Sequence, residues 1–458
     1  MKKRNIILIC IISLIIISLI ISIIIANFKL MPFVTNISIE ESLQFKDKVV
    51  VNVNINNYFF KFNKTTYCLA TKKEDFPNKN DDWVLSRNGY CSFTLDAGDY
   101  KFYLKDAYGK IINADKEMIE INKLLSIKVN KDTYYMYKGM EEDINYELVK
   151  IGSVKDEITI YSEDDNIAYV DNNKIIANDY GSTNIVIKST SGVYKKINVF
   201  VPIYITKPGI NQNKPYVYCN QFSYDDSNLI DNILFDRVYS AGYGTRAGVL
   251  AAARFITLEF AYRIPYFYEN GRLENYDPFY YVDGEGRYYH KGLYLHKAKE
   301  QEMDSSFVGP AHWGCDLTNF TNWGPYVYGK KYPNGLDCSG FVTWAILNGG
   351  YDVGDIGAGV DASHHDLTDL GEMVKLSEEL MSSGRVKAGD LIGHDGHIAI
   401  LAGWDDNNYY IAESLNTTRG VQMTVVNKSK LVHNSIYKYI ILMDNYYKED
   451  GNYSVIWE

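Results

Sequence analysis

The stretch that decides the fold of the C-terminal half reads Leu336-Asp337-Cys338-Ser339-Gly340-Phe341-Val342, and it continues as Thr343-Trp344-Ala345-Ile346-Leu347. Gly335 before it predicts a turn, and apolar residues then recur with a helical period until Asn348-Gly349-Gly350 ends the pattern. Cys338 therefore falls on the first turn of a buried helix. Free N–H groups and the helix dipole favour a negatively charged sulfur there, and the thiolate is the nucleophilic form of cysteine. The alternative is a small buried core cysteine.

A second stretch supplies a base for this thiol. Lys387-Ala388-Gly389-Asp390-Leu391-Ile392 leads into Gly396-His397-Ile398-Ala399-Ile400-Leu401-Ala402-Gly403, which predicts an apolar strand with a histidine at its start. After a polar loop, Tyr409-Tyr410-Ile411-Ala412-Glu413-Ser414 predicts a neighbouring strand. A Cys/His site needs a nucleophile, a base within its reach and a third group that orients the base. The predicted helix and strands can supply these three groups.

Four motifs in succession resemble those of a known family. They are Pro325-Tyr326-Val327-Tyr328-Gly329, the stretch around Cys338, Ala388-Gly389-Asp390-Leu391, and Gly396-His397-Ile398-Ala399-Ile400. Over roughly residues 320–418 the chain resembles the NlpC-type cysteine peptidases, which are papain-like bacterial cell-wall hydrolases. The resemblance implies an α+β papain-like domain that cuts peptidoglycan stem peptides, at the bond between D-glutamate and the following diamino acid, without a cofactor.

The same resemblance implies roles for individual residues. Cys338 would be the nucleophile and His397 the base. Tyr326 would lie near the oxyanion, and Asp337 with Ser339 would shape the pocket that receives the stem peptide.

The group that orients His397 is the open point of this site. In the family the third polar position is often histidine, whereas here it falls on Glu413. Glu413 lies two residues after Ile411, so both side chains should face the same side of the strand. Asn416, an amide of the kind that papain-like enzymes also use, is the alternative, but it lies where the strand gives way to a loop. We predict Glu413, against the interpretation of a solvated carboxylate at a strand end.

Length and charge limit the architecture and the partners. The 458 residues predict about three domains. Hydrophobic and charged shares of 46% and 23% are typical of folded protein. The net charge of −10 leaves no basic face to neutralise phosphates, so nucleic acid is not an expected partner.

The N-terminus predicts a membrane anchor. Met1-Lys2-Lys3-Arg4 precedes an apolar run from Ile6 to Ala26 that contains no charge. About 20 apolar residues span a bilayer, whereas the apolar region of a cleaved signal peptide has about 7–15. We therefore predict that residues 1–28 are a cytoplasmic tip and an uncleaved transmembrane signal-anchor, and that everything after Phe28 is extracellular. A cleaved signal peptide is the alternative.

The cysteine count agrees with export. Cys10 lies in the predicted anchor, and an odd number of cysteines follows it, namely Cys68, Cys91, Cys219, Cys315 and Cys338. We predict a disulfide between Cys68 and Cys91, which fall in one β-rich domain. Cys219 and Cys315 share the segment before the catalytic motif, which leaves Cys338 unpaired.

No metal site is predicted. The cysteines form no CxxC pair of the kind that binds zinc. His364-His365-Asp366 could supply metal ligands, but we favour the interpretation of a polar loop or a helix start.

Two β-rich modules are predicted between the anchor and the enzyme. In residues 29–124, apolar and polar residues alternate along the predicted strand Val49-Val50-Val51-Asn52-Val53-Asn54-Ile55. The chain then turns and runs back along a second predicted strand, Tyr58-Phe59-Phe60-Lys61-Phe62. This pattern indicates an immunoglobulin-like β-sandwich. Residues 125–201 resemble the bacterial immunoglobulin-like (Big, second group) domain. Four stretches carry this resemblance: Ile158-Thr159-Ile160-Tyr161-Ser162, Ile167-Ala168-Tyr169-Val170-Asp171, Lys174-Ile175-Ile176-Ala177, and Tyr180-Gly181-Ser182-Thr183-Asn184-Ile185-Val186-Ile187. Such domains act as spacers or as adhesive modules.

Residues 202–215 interrupt the strand pattern with proline and glycine and are predicted to be a linker. Residues 216–458 then form the peptidase domain, with a helix capped by Thr245 near its start. The predicted protein is thus a multidomain, membrane-anchored cysteine peptidase that faces the cell wall. An amidase or acyltransferase of the same fold, or an adhesion protein with a vestigial enzyme domain, is the alternative.

Overall fold

The computed structural model describes residues 2–29, 33–45, 48–56, 66–72, 75–114, 119–121, 124–151, 154, 156–267, 291–302, 312–318, 326–351, 370–416, 420–448 and 450–451. Two sequence predictions lie outside these residues. They are the returning strand of the first module, Tyr58–Phe62, and the group His364-His365-Asp366.

The chain begins with helix α1, Lys2–Lys29. The side chains described in α1 run from Ile9 to Ile23 and are exposed. Across the residues that the structure describes, no helix is both long enough and apolar enough to span a membrane.

The first β-rich module is built from two sheets. Its described strands are β1 Phe33–Glu41, β2 Val49–Asn56, β3 Tyr67–Thr71, β4 Val84–Leu85, β5 Tyr90–Leu95, β6 Gly98–Lys105, β7 Ile111–Asn113 and β8 Ile119–Ile121. One sheet has the order β1-β2-β5 and the other β4-β3-β6-β7, with β8 paired to β6. Val51 on β2 and Phe102 on β6 lie in one shared core. A disulfide joins Cys68 on β3 to Cys91 on β5, so the pairing that the sequence predicts ties the two sheets together.

The second β-rich module begins at Leu124. Its strands are β9 Leu124–Val129, β10 Thr133–Tyr135, β11 Glu141–Asp143, β12 Tyr146–Lys150, β13 Ile158–Ser162, β14 Ala168–Asp171, β15 Lys174–Ala177, β16 Gly181–Ser189 and β17 Tyr194–Val201. They form sheets of order β10-β17-β16-β13, β11-β15-β14 and β12-β9. Ile175 on β15 and Ile185 on β16 share its core, so strands of different sheets pack face to face.

Residues 202–215 pack on the C-terminal domain. Ile205 pairs with Phe260 in a β-bridge and lies in the core of that domain. Lys214 is buried, and its ammonium group donates to the carbonyl oxygens of Thr257 and Phe260 at 2.9 and 2.6 Å. Proline and glycine in the sequence mark the break between strands, but they carry no information about this packing.

Two helices open the C-terminal domain: α2, Tyr224–Ala241, and α3, Arg246–Arg254, which continues as a π-helix over Phe255–Glu259. Thr245 caps α3 as the sequence predicts, since its hydroxyl accepts a hydrogen bond from the backbone N–H of Gly248. Helix α2 was not predicted from the sequence. Its Arg237 donates to the carbonyl oxygen of Tyr135 at 2.8 Å, which joins α2 to the second β-rich module.

The remaining elements form a helix-covered antiparallel sheet. The described helices are a 3₁₀ turn at Lys297–Glu302, α4 Cys338–Asn348, α5 Glu378–Ser382 and α6 Lys428–Asn434. The strands are β18 Asp316–Thr318, β19 Lys331–Pro333, β20 Glu372–Lys375, β21 Leu391–His394, β22 His397–Trp404, β23 Asn408–Leu415, β24 Gly420–Asn427 and β25 Tyr439–Leu442. Six of them form one sheet of order β20-β25-β21-β22-β23-β24. This is the α+β architecture expected for the domain.

Both faces of this sheet are buried. On β22, Ile398 and Ile400 enter a large core shared with α3 and α4. Ala399 and Leu401 enter the opposite, smaller core, called the small core below, which consists of Leu376, Leu380, Val386, Ile392, Ala399, Leu401, Ile411, Leu431, Tyr437, Ile440 and Leu442. Side chains alternate between faces along a strand, so burial of both faces explains the unbroken apolar run of β22. Helix α4 packs against β22 and β23, which brings its first turn to these strands.

Candidate active site

Cys338 is the first residue of α4, where the sequence places it. Asp337 caps the helix, and its Oδ1 accepts a hydrogen bond from the backbone N–H of Gly340 at 2.6 Å. The Ser339 hydroxyl donates to the same oxygen at 3.4 Å. Cys338 is a free thiol with 7% of its surface exposed. The cap fixes the first turn, and it thereby holds the sulfur at the positive end of the helix dipole.

The loop before Cys338 is held from two sides. The backbone N–H of Leu336 donates to the carbonyl oxygen of Pro265 at 3.0 Å, and its own carbonyl oxygen accepts from the Ser414 hydroxyl at 2.6 Å. Gly335 lies so close to Pro265 that a Cβ atom there would come within 1.9 Å of the same carbonyl oxygen. These contacts fix the position of Cys338 relative to β23. No motif in the sequence marks Ser414 for this contact.

His397 and Glu413 meet across neighbouring strands. His397 is the first residue of β22, Glu413 lies on β23, and Nε2 of the histidine is 2.7 Å from Oε2 of the carboxylate. Both side chains are buried. Asn416 is exposed just beyond the end of β23. Of the two residues that the sequence proposes for this contact, the structure therefore brings Glu413 to His397. The catalytic roles themselves stay predictions.

His397 is coupled electrostatically to two partners. Burial lowers its pKa, but hydrogen bonds with Cys338 and Glu413, together with the charges of those groups, outweigh burial and raise the pKa of His397 to about 10. The ring is therefore protonated at neutral pH. Since Nε2 faces Glu413, Nδ1 is the nitrogen left for the sulfur of Cys338. An imidazolium in this position can hold a thiolate as an ion pair and later give up its proton.

Two further side chains border this arrangement without any signal in the sequence. The Tyr437 hydroxyl donates to Oε2 of Glu413 at 2.9 Å. The ring of His394 lies 5.5 Å from that of His397, centroid to centroid. Burial lowers the pKa of His394, so this neighbour is neutral where His397 is charged. His394 reaches the site through the hairpin of β21 and β22, in which it pairs directly with His397. Tyr437 reaches the site from the segment before β25, which pairs with β21, and a local motif cannot reveal that contact.

Tyr326 lies in a small aromatic cluster. Its ring packs edge-on against Phe267 and Tyr332. Its hydroxyl donates to the carbonyl oxygen of Tyr266 at 3.4 Å. Burial, and after it the charge of Asp337, raise the pKa of Tyr326 well above its ordinary value, so the hydroxyl stays a donor. The role at the oxyanion that the resemblance implies for Tyr326 stays a prediction.

Cys219, Cys315 and His312 lie close together. Cys219 and Cys315 form a disulfide, and Nε2 of His312 is 3.0 Å from the sulfur of Cys315. One ligand atom of each residue lies within 4.8 Å of the others, which is the spacing of a metal site. Metal binding needs thiolates, however, and both sulfurs are engaged in the disulfide.

The segment that holds Cys338, His397 and Glu413 matches a family model. Residues 323–438 match the NlpC/P60 family. This segment is an NlpC/P60 domain. The domain extends beyond the part of the chain whose motifs show the resemblance, and it includes Tyr437. The match supports a cell-wall peptidase-type function for the NlpC/P60 domain.

Solved structures resemble the chain weakly. Domains 4 and 5 of the S-layer protein SbsC are 20% identical over 24% of this chain and 67% of that chain, with a TM-score of 0.17. The C-terminal 282-residue fragment of intimin, in complex with the intimin-binding domain of its receptor, is 15% identical over 44% and 72%, with a TM-score of 0.21. Invasin, a bacterial integrin-binding protein, is 8% identical over 41% and 42%, with a TM-score of 0.14. These TM-scores are too low to assign a fold or a function. No curated protein matches the chain.

Proposed function

We propose that this protein is a cysteine endopeptidase that cuts the stem peptides of peptidoglycan. The observation that carries the proposal is the hydrogen-bonded series Cys338, His397 and Glu413 inside the NlpC/P60 domain. The family match supports cell-wall peptidase chemistry, and the series offers a nucleophile, a proton donor and an orienting carboxylate in contact with one another.

The first half of the reaction forms an acyl-enzyme. The Cys338 thiolate attacks the scissile carbonyl carbon, a carbon–sulfur bond forms, and the carbonyl oxygen becomes an oxyanion. Backbone N–H groups at the start of α4 stabilise this oxyanion, with the Tyr326 hydroxyl as the further donor that the family resemblance suggests. The His397 imidazolium gives its proton to the leaving amine as the peptide bond breaks.

The second half releases the acyl group. His397, now neutral, takes a proton from water, and the resulting hydroxide attacks the thioester carbonyl. The carbon–sulfur bond breaks, the carboxylic acid product leaves and the Cys338–His397 ion pair is restored. Glu413 accepts the N–H of His397 in both halves, so the ring keeps its tautomer and its direction.

The substrate preference is the finer part of the proposal. By resemblance the bond cut joins D-glutamate to the next diamino acid. Asp337 and Ser339 are buried at the start of α4, and the Ser339 hydroxyl donates a hydrogen bond to the Asp337 carboxylate. We therefore assign them an indirect part in the substrate pocket: they fix the turn that forms its floor.

The location is also a proposal. The uncharged run from Ile6 to Ala26 behind Lys2-Lys3-Arg4 supports an anchor with the enzyme on the outer face of the membrane. Treatment of intact cells with external protease should remove the NlpC/P60 domain and leave a short membrane-bound fragment. Full resistance of the domain would contradict the orientation, and a mature protein that begins near Asn27 would contradict retention of the anchor.

Digestion of purified wall fragments tests the function. The full chain should release products whose masses correspond to cleavage within the stem peptide, and Cys338→Ser should fold normally but release none. Loss of a nucleophile costs far more than the roughly 10²–10⁴ of one proton-transfer group. Activity of Cys338→Ser within about tenfold of the parent would exclude this nucleophile. Products cut at the sugar–peptide amide, or transfer products, would instead indicate an amidase or an acyltransferase.

A further inference from the structure

Tyr437 lies at the back of the proposed site. It follows α6, precedes β25, and belongs to the small core with 3% of its surface exposed. Its hydroxyl donates to Oε2 of Glu413 at 2.9 Å. The same oxygen lies 2.7 Å from Nε2 of His397. One carboxylate oxygen thus accepts hydrogen bonds from both side chains.

This convergence restricts the carboxylate. A glutamate side chain has three rotatable bonds, and a single hydrogen bond leaves it free to swing about its partner. A second donor on the same oxygen, from another direction, fixes where that oxygen lies. The Tyr437 ring also packs near the His397 ring, at 6.3 Å between centroids, so one side chain contacts both members of the pair.

The backbone around Tyr437 is itself fixed. The N–H of Tyr437 donates to the Ser435 hydroxyl oxygen at 3.3 Å. The next residue, Lys438, donates its N–H to the carbonyl oxygen of Gly393 on β21 at 2.7 Å. These two backbone hydrogen bonds hold Tyr437 at a fixed position relative to the central strands of the sheet.

We propose that Tyr437 is a positioning residue of the peptidase site: its hydroxyl holds Oε2 of Glu413 in line with His397 and so keeps the imidazolium directed at Cys338. Its effect on turnover rests on the proposed function, whereas its effect on the ring of His397 does not.

The protonation states agree with this role. Burial, and after it the charge of Glu413 and the hydrogen bond to it, raise the pKa of Tyr437 far above its ordinary value, so the hydroxyl stays a donor. The titratable or charged groups around the pair come from α4, β21 and its turn, β23, the segment before β25 and β25 itself. They are Cys338, His394, Asp395, Glu413, Tyr437, Lys438 and Tyr439.

The test compares two Tyr→Phe variants of the full chain. Tyr437→Phe removes the hydroxyl and keeps the packed ring. Tyr410→Phe is the matched control, because Tyr410 lies on the same strand as Glu413 and its hydroxyl donates to the carboxylate of Asp405, outside the site. Two quantities are measured: kcat and KM on wall fragments, and the pH midpoint of the His397 ring by NMR of ring-labelled histidine.

For Tyr437→Phe we expect kcat to fall about tenfold to a hundredfold with KM within about twofold, as loss of an orienting partner does at other sites. The His397 midpoint should fall by about one pH unit, because a less ordered Glu413 supports the imidazolium less well. Tyr410→Phe should leave both unchanged. In a Glu413→Ala background Tyr437→Phe should add nothing to either effect, since it acts through Glu413.

A His397 midpoint in Tyr437→Phe equal to that of Tyr410→Phe would overturn the inference and leave Tyr437 as a core residue. An additive effect in the Glu413→Ala background would overturn it too. If the parent cleaves no wall fragment while the midpoint still falls, the proposed function fails and the positioning role of Tyr437 stands.

Discussion

Two buried carboxylates at one sheet differ in their partners: one pairs with a permanently charged side chain and the other with a side chain that titrates. Asp390, directly before β21, accepts from the guanidinium of Arg246 at 2.7 Å and from the backbone N–H of Met443 at 3.0 Å. Glu413, on β23, accepts from His397 and Tyr437. Arg246 carries a permanent charge, whereas His397 gains and loses a proton within the accessible pH range. Burial of a carboxylate therefore does not by itself indicate a catalytic site. What distinguishes Glu413 is that its partner, His397, titrates and contacts the thiol of Cys338.

The surroundings of the two pairs sharpen the contrast. Arg246 has no exposed surface and reaches two more carboxylates, Asp444 at 2.5 Å and Asp450 at 3.2 Å, which hold the C-terminal segment against α3. Burial raises the pKa of Asp390 although Arg246 opposes the shift. This cluster contacts backbone and charge but not Cys338, so we assign it to the stability of the fold.

Of the two buried carboxylates, Glu413 should have the larger effect on catalysis when it is replaced, although the effect should be smaller than that of losing Cys338. Glu413→Ala should lower turnover by about 10²–10⁴ through loss of the group that orients His397, and Asn416→Ala should do little. Glu413→Gln should keep part of the activity, because an amide oxygen still accepts a hydrogen bond. Steady-state kinetics on wall fragments measure all three variants. A crippled Asn416→Ala beside a nearly normal Glu413→Ala would reverse the assignment.

Replacement of Asp390 should instead act on stability. Asp390→Ala leaves Arg246 buried without its closest partner, and loss of one partner of a buried pair costs about 3–5 kcal/mol of unfolding free energy. Urea unfolding measures the loss. The fraction that remains folded should turn over wall fragments at the parent rate. A stable Asp390→Ala protein with strongly reduced kcat would show that the two carboxylates do not differ in role.

The sequence predicts the proposed catalytic residues better than it predicts the residues that hold them in place. Cys338 and His397 fall at a helix start and a strand start, positions that local patterns mark well, and Glu413 follows from the two-residue period of a strand. Tyr437 and Ser414 carry no local signal, because each reaches the site through strand pairing or through a loop far away in the sequence.

The Asp390 motif shows a second limit of the sequence. Ala388-Gly389-Asp390-Leu391 contributes to the family resemblance, yet the Asp390 side chain pairs with Arg246. The partner is 144 positions away along the chain, so no spacing rule could reveal it. The packing of residues 202–215 escaped prediction for the same reason, because long-range contacts decide it. Helix α2 carried a local signal that was missed, since Ser223 and Asp226 form a capping box at its start.

The pH dependence separates the two pairs further. The pKa of His397 is raised from 6.5 to about 10, so the stabilisation from its charged contacts is complete below about pH 6.5 and is lost as the pH rises through about 10. Turnover should therefore fall above about pH 10, and in Glu413→Gln this alkaline limb should move to lower pH. A parent limb near pH 7 would show that His397 is not paired as described. Arg246 should show no such transition over this range.

The first disulfide should leave both pairs untouched. It closes a loop of 23 positions between Cys68 and Cys91, and the chain-entropy relation gives about 3 kcal/mol for a loop of this length. Replacing both cysteines by serine should lower the unfolding free energy of the first module by this amount, measured by urea unfolding. Neither kcat nor the alkaline limb of the pH–turnover profile should change. A change in either would show that the first module is coupled to the site.

The rate at which Cys338 is alkylated tests the central claim most directly. The parent and His397→Ala are exposed briefly to iodoacetamide at pH 6.5, and peptide masses report the label on Cys338 and on the second free thiol, Cys10. Because a protonated His397 holds the sulfur as an ion pair, Cys338 in the parent should react at least about tenfold faster than Cys338 in His397→Ala. The Cys10 rate should be the same in both proteins. Equal Cys338 rates in the two proteins would contradict the ion pair and the proposed nucleophile with it.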